Sequence, residues 1–151
     1  MMKTIGVKKF DKFKRCSDAE WLDLLKRSVT ESVINGVVFP SFPGKDIQER
    51  FVGSSYEAAL TEASEFYTYL KQAAADLGKR VSKKSRIHDF GCGWGRFTRF
   101  FMKDVAGENI YSSDVMPLAI DICKQSDLPG QFDLLEQGGE LPYPAQFFDV
   151  M

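Results

Sequence analysis

Two kinds of hydrophobic spacing divide the chain. Up to residue 84 the apolar positions recur at helical intervals, which predicts an N-terminal helical segment over 1–84. Ser17 to Glu20 has the spacing of a capping box. Behind it Leu22, Leu25, Val29 and Val33 follow at helical intervals, and Asn35-Gly36 supplies a stop. The stretch from Phe39 through Pro40 and Pro43 to Gly44 cannot continue a helix. Asp46 to Glu49 starts one short helical turn. Ser54 to Glu57 is a second capping box, opening a longer helix that carries Leu60, Ala63, Phe66, Tyr67, Leu70 and Leu77 and ends at Gly78.

From residue 85 to 151 short apolar runs alternate with helical patterns. Residues 86–90 predict a strand, which runs into Gly91-Cys92-Gly93-Trp94-Gly95. Residues 96–105 predict a helix packed through Phe97, Phe100 and Phe101. Residues 109–113 predict a second strand, ending at Asp114. Pro117 then stands at a natural first helical position, ahead of Leu118, Ile120, Ile122 and Cys123. Residues 132–135 and 147–151 are the third and fourth strand candidates. This alternation defines an α/β fold: a Rossmann-like parallel sheet flanked by helices and preceded by the helical segment.

Composition narrows the classes of function. The 151 residues suit one domain, and 44% hydrophobic content suffices for a core. Lys+Arg (20) nearly cancels Asp+Glu (21), leaving a net charge of -1, so a nucleic-acid partner has no support. No apolar run approaches the roughly 20 residues that cross a bilayer. The first ten residues lack the apolar stretch of a signal peptide. Cys16, Cys92 and Cys123 are scattered, which suits the reducing cytoplasm. With His88 as the single histidine, they argue against a structural metal site. The basic run from Lys79 to Arg86 reads as a solvated connector, with an anion patch as the minority reading.

The chemistry gathers at the glycine turn. In a parallel α/β sheet, ligands bind at the carboxyl ends of the strands, where backbone N–H groups and a helix start converge. Asp114, ending the next strand, is placed to take both hydroxyls of a ribose. A dinucleotide fingerprint needs a small residue closing Gly-x-Gly-x-x-Gly. Counting from Gly91 puts Arg96 there, and counting from Gly93 puts Thr98 there; both registers fail. Asp89, two residues before Gly91, would repel a pyrophosphate and attract a cation.

Residues 87–95 (Ile-His-Asp-Phe-Gly-Cys-Gly-Trp-Gly) resemble the first motif of the class I S-adenosylmethionine-dependent methyltransferases. Asp114 matches the acidic residue of that family. Leu141-Pro142-Tyr143-Pro144 followed by Phe147-Phe148-Asp149-Val150-Met151 is similar to its stretch leading into the fourth strand. Residues 51–55 are similar, less specifically, to N-terminal segments of some bacterial members. The resemblance implies S-adenosylmethionine as cofactor. Its contacts would be Asp89, Gly91, Cys92, Gly93, Trp94 and Gly95 at the methionine end, and Asp114 and Val115 at the ribose side. Gln137 stands where the family usually has Asp or Asn for adenine. The implied reaction is methyl transfer to an acceptor of small-molecule or saccharide type.

Plainer roles stand beside these. Cys92 can be a small loop filler and His88 a packed strand residue. Trp94 and Arg96 are placed to touch ligand, Arg96 at a cofactor carboxylate or simply in solvent. The 13 phenylalanines read as packing. No catalytic base is identified. The family's sheet has seven strands and residues 85–151 supply four, so the chain is expected to be the N-terminal part of a longer enzyme or a shortened product. An apolar sheet edge would then be exposed and open to self-association. The alternatives are a truncated, non-catalytic module that binds S-adenosylmethionine or acts by association, and a nucleotide-dependent oxidoreductase.

Overall fold

The computed structural model describes residues 8–151; the remainder of the 1–84 segment and of the N-terminal stretch read above, residues 1–7, lies outside them. A 3₁₀ turn at Asp11–Phe13 leads into α1 (Asp18–Arg27), whose start is the expected capping box: Ser17 and Glu20 each satisfy the other's backbone N–H. The helix stops well before Val33. Asn35 and Gly36 both take positive φ (50° and 76°) and turn a small hairpin, pairing β1 (Val33–Ile34) with β2 (Val37–Val38). Asn-Gly is thus a hairpin turn, since its backbone twist matches that of two antiparallel strands.

α2 (Lys45–Val52) is longer than the single expected turn and ends at Gly53 in the left-handed conformation. α3 (Tyr56–Asp76) follows, and its expected capping box does not form. The fully buried Gln48 caps it instead: Oε1 accepts from the Tyr56 N–H at 2.8 Å while Nε2 donates to the Pro43 carbonyl at 2.8 Å. The hydroxyls of Ser54 and Ser55 are spent on Glu62 and Glu49.

The second part is the expected alternation: β3 (Ile87–Phe90), α4 (Arg96–Phe101), β4 (Ile110–Asp114), α5 (Pro117–Gln125) and β5 (Gln131–Leu134). The strands form one parallel sheet in the order β3-β4-β5, with Asp89 opposite Ser112 and Asp114 opposite Leu134. α4 is shorter than the predicted helix, and the chain reaches Val105 in turns. The fourth strand candidate contributes a single parallel bridge, Ile87 to Val150, on the free side of β3. Phe147 and Phe148 pack with Tyr111, Tyr143 and His88, so only residues 149–150 pair with β3.

One core joins the two parts. Phe10, Trp21, Leu25, Phe39, Leu60 and Tyr67 pack with Ile87, Phe100, Val105 and Ile110. Two sets of polar contacts lock the N-terminal segment onto α4 and the turn that follows it. Arg99, fully buried, donates to the carbonyls of Pro40 (3.1 Å) and Ser41 (2.6 Å) and lies over the Phe42 ring. Burial presses its pKa down to about 9, which leaves it cationic at neutral pH. Asp104 accepts from Tyr67, Lys71 and Lys103, and both lysines also bond Asp18 on α1. No helix among the described residues is long and apolar enough to cross a membrane.

Burial alone would raise the carboxyl pKa of Asp18 and Asp104. The hydrogen bonds from the lysines, with Tyr67 at Asp104, outweigh it and hold both below the ordinary aspartate range. Their contribution is therefore complete above the ordinary pKa and is lost as pH falls through the lowered value. Asp104→Ala should cost about 2–3 kcal/mol at pH 7, because it strips one of two carboxylates from the nearly buried Lys103. The cost should shrink in acid, below the ordinary aspartate pKa. Urea melts of both proteins at the two pH values check this; an equal cost at both would place the effect elsewhere.

Candidate cofactor site

Parallel pairing puts the carboxyl ends of β3, β4 and β5 at one edge of the sheet. The glycine turn, Asp114 and the loop after β5 therefore lie together. The turn is held by three bonds: the Gly91 and Cys92 N–H groups both donate to the Ser113 carbonyl, and Gly93 N–H donates to Asp114 Oδ2, each at 2.9 Å. The other Asp114 oxygen accepts from Met116 N–H at 2.9 Å. Asp114 thus ties the turn after β3 to the turn after β4.

Gly91, Gly93 and Gly95 all have positive φ, but their surroundings differ. At Gly91 a Cβ would meet nothing within 4 Å, so a ligand can come onto the backbone there. At Gly93 a Cβ would stand 3.3 Å from the Phe51 ring, which lets α2 sit close over the turn. At Gly95 it would lie 2.3 Å from Leu128 Cδ1 and 3.3 Å from Cys123 Sγ, which rules out a side chain. The first glycine faces open space, and the third serves packing.

Asp89 is buried, and the Thr98 hydroxyl donates to its Oδ2 at 2.9 Å. Thr98 Oγ1 is also 2.9 Å from Ser112 Oγ. Burial pushes the Asp89 carboxyl up to about 6, despite the hydrogen bond from Thr98, and the nearby Asp114 adds to the rise. Two carboxylates with little solvent at the ends of neighbouring strands make a place for a cation.

The remaining expected contacts separate into open and closed positions. Val115 is half exposed on the turn after Asp114, and Gln137 is exposed on the turn after β5. The Cys92 side chain is buried, with Sγ 3.8 Å from the Gly93 carbonyl. Trp94 is fully buried and packs with Ala59, Ile122 and Phe42, so the structure turns its ring into the core and away from any ligand. Arg96 is tied to α3, donating to the Ala59 carbonyl and to Glu62 at 3.2 Å. His88 bonds Ser113 Oγ at 2.7 Å and stacks on Phe148, and burial keeps its pKa below the usual value. It is a packed strand residue.

Thr98 and Phe51 were not singled out for the site by sequence reasoning. Thr98 drew attention only as the residue that spoils the dinucleotide register; on α4 its hydroxyl meets Asp89 and Ser112 of the sheet. Phe51 stood out only within the less specific similarity of residues 51–55, because its contact with Gly93 spans two elements far apart in the chain.

Residues 88–151 match the family model described as a methyltransferase domain. The match covers less than half of the chain, and the parallel sheet with flanking helices has the class I, Rossmann-like methyltransferase fold. A crystallised Thermoplasma acidophilum protein is similar at 18% identity, over 48% of this chain and 40% of its own, with a TM-score of 0.37. A Pyrococcus horikoshii protein described as an RNA methyltransferase is similar at 16% identity, over 76% of this chain and 50% of its own, with a TM-score of 0.44. The chain thus spans half or less of these two proteins. No curated protein matches it significantly.

Two substitutions separate the glycines' roles. Gly95→Ala should destabilise by about 2 kcal/mol or more, from strain plus overlap with Leu128. Gly91→Ala should cost only about 1 kcal/mol, from its φ alone. Thermal melts rank them, and a reversed order would contradict the packing described here. Thr98→Val keeps the side-chain shape and removes the donor, so the Asp89 midpoint should rise above about 6 in a carbon-detected NMR titration.

Proposed function

We propose that the glycine edge binds S-adenosylmethionine and that the chain is the cofactor-binding part of a methyltransferase. The observation carrying this reading is the pair Asp89 and Asp114, buried at adjacent strand ends around a turn whose first glycine is open to a ligand. When bound, the cofactor supplies a methyl group already activated by a positive sulfur.

The residues present suit such a ligand. Asp89 and Asp114 favour a cationic group over a pyrophosphate. Each Asp114 oxygen accepts one backbone N–H and keeps a lone pair for a ribose hydroxyl. The half-exposed Val115 offers an apolar surface beside Asp114, and Gln137 carries an amide that can bond an adenine edge. Cys92 and Trp94 contribute backbone and packing to the turn. Catalysis by such a site rests on holding the acceptor in line with the methyl group, and a base is needed only if the acceptor must lose a proton.

For the acceptor we favour a small molecule or a saccharide-type compound, since the near-neutral charge gives a polyanion no general attraction. The three cysteines are free thiols, which fits a cytoplasmic setting.

Calorimetric titration of the chain with S-adenosylmethionine and S-adenosylhomocysteine, with NAD as control, tests the proposal. Micromolar binding that Asp114→Ala abolishes is expected, without comparable binding of NAD. Affinity for the sulfonium form should fall as pH is lowered through about 6, where Asp89 gains its proton. S-Adenosylhomocysteine, which lacks the sulfonium charge, should show a weaker dependence. Absence of binding by the folded chain, or preference for NAD, would reject the reading.

A further inference from the structure

α3 carries two apolar stripes. One, including Ala59, Leu60, Ala63, Tyr67 and Ala74, is buried in the core. The other is formed by Phe66, Tyr69, Leu70, Ala73 and Leu77, at the same helical spacing. It faces outward, with Phe66 50%, Tyr69 71% and Leu77 83% exposed. It borders two adjoining hollows, about 420 and 300 Å³, which share Phe66, Leu70 and residues 150–151. Phe66 rests on Phe97 and Leu70 on the core, yet most of the stripe stays in solvent, and contiguous apolar surface of this kind marks an interface.

Size and charge along the stripe fit a reversed copy of itself. Ala73 is small, with the bulkier Phe66 and Tyr69 on one side and Leu77 on the other. Turned over about a two-fold axis between Leu70 and Ala73, a second chain places its Leu77 against Phe66, and the helices approach closely at Ala73. The same rotation sets Glu62 and Glu65, in the first half of α3, against Lys79 and Arg80 just beyond its end. Among the described residues Glu65 and Arg80 form no ion pair within the chain, while Lys79 has only a 3.5 Å contact with Asp149 and Glu62 pairs with Arg96. Acidic first half and basic far end are what an antiparallel pairing of identical helices requires.

We infer that a second copy of this chain covers the stripe, the two α3 helices packing antiparallel across a two-fold axis. The larger hollow reaches Asp89 and Phe90 at the end of β3, but the stripe itself lies on α3, and the inference stands whether or not the chain binds S-adenosylmethionine.

Sedimentation equilibrium of the whole chain should show monomer and dimer, with the mass levelling at the dimer. Ala73→Glu puts like charges at the axis and should weaken the dimer at least tenfold, while a cooperative circular-dichroism melt at a concentration where both proteins are monomeric shows that it folds. Glu65→Lys should weaken association and make it less salt-dependent, and adding Lys79→Glu and Arg80→Glu to that variant should restore it. A chain that stays monomeric at all concentrations, association that continues past the dimer, a dimer indifferent to Ala73→Glu, or failure of the charge reversal to restore it would each overturn the inference.

Discussion

Everything at the glycine edge depends on the parallel pairing of β3 with β4. Because both strands run the same way, their carboxyl ends finish side by side, and a turn from one can bond the end of the other. Asp114 uses this directly: its carboxylate takes an N–H from the glycine turn and another from its own turn. Asp89 sits one strand away with Thr98 and Ser112 beneath it. Shifting the register by one residue would turn Asp89 to the other face and leave Gly93 without its acceptor.

The N-terminal segment builds the floor of this site. α2 lies against the turn through Phe51, and the buried Gln48 joins α2 to α3 with two hydrogen bonds. Arg99 reaches from α4 to the backbone of residues 40–41, and Trp94 lies on the same side, among Ala59, Phe42 and Ile122. These contacts turn two stretches of different pattern into one packed unit. The cost is a cation with little solvent and a tryptophan N–H without a partner.

Much of the C-terminal half could be read directly. The strand–glycine–helix alternation, Pro117 at a helix start and Asp114 at a strand end all appear as expected, because each rests on local periodicity or on a residue with one strong backbone preference. Local signals misled where they have two outcomes. Asn35-Gly36 stops a helix or turns a hairpin with equal backbone ease, and the pairing of Val33 with Val38 decides it. Ser54 looks like a cap until Gln48 arrives from another helix to do that work. The apolar run at 147–151 looks like a strand, yet its aromatic rings bind the sheet's far face and leave one bridge.

The chain's own order of residues determined the class of fold, the place of the glycine turn and the two acidic positions beside it, since these follow from spacing and from side chains that act where they stand. Tertiary structure decided which of those residues meet solvent. It buried Trp94 and Cys92, tied Arg96 to Glu62, opened Gly91 and closed Gly95 against Leu128. Exposure depends on what packs from distant parts of the chain, and no local pattern carries that information.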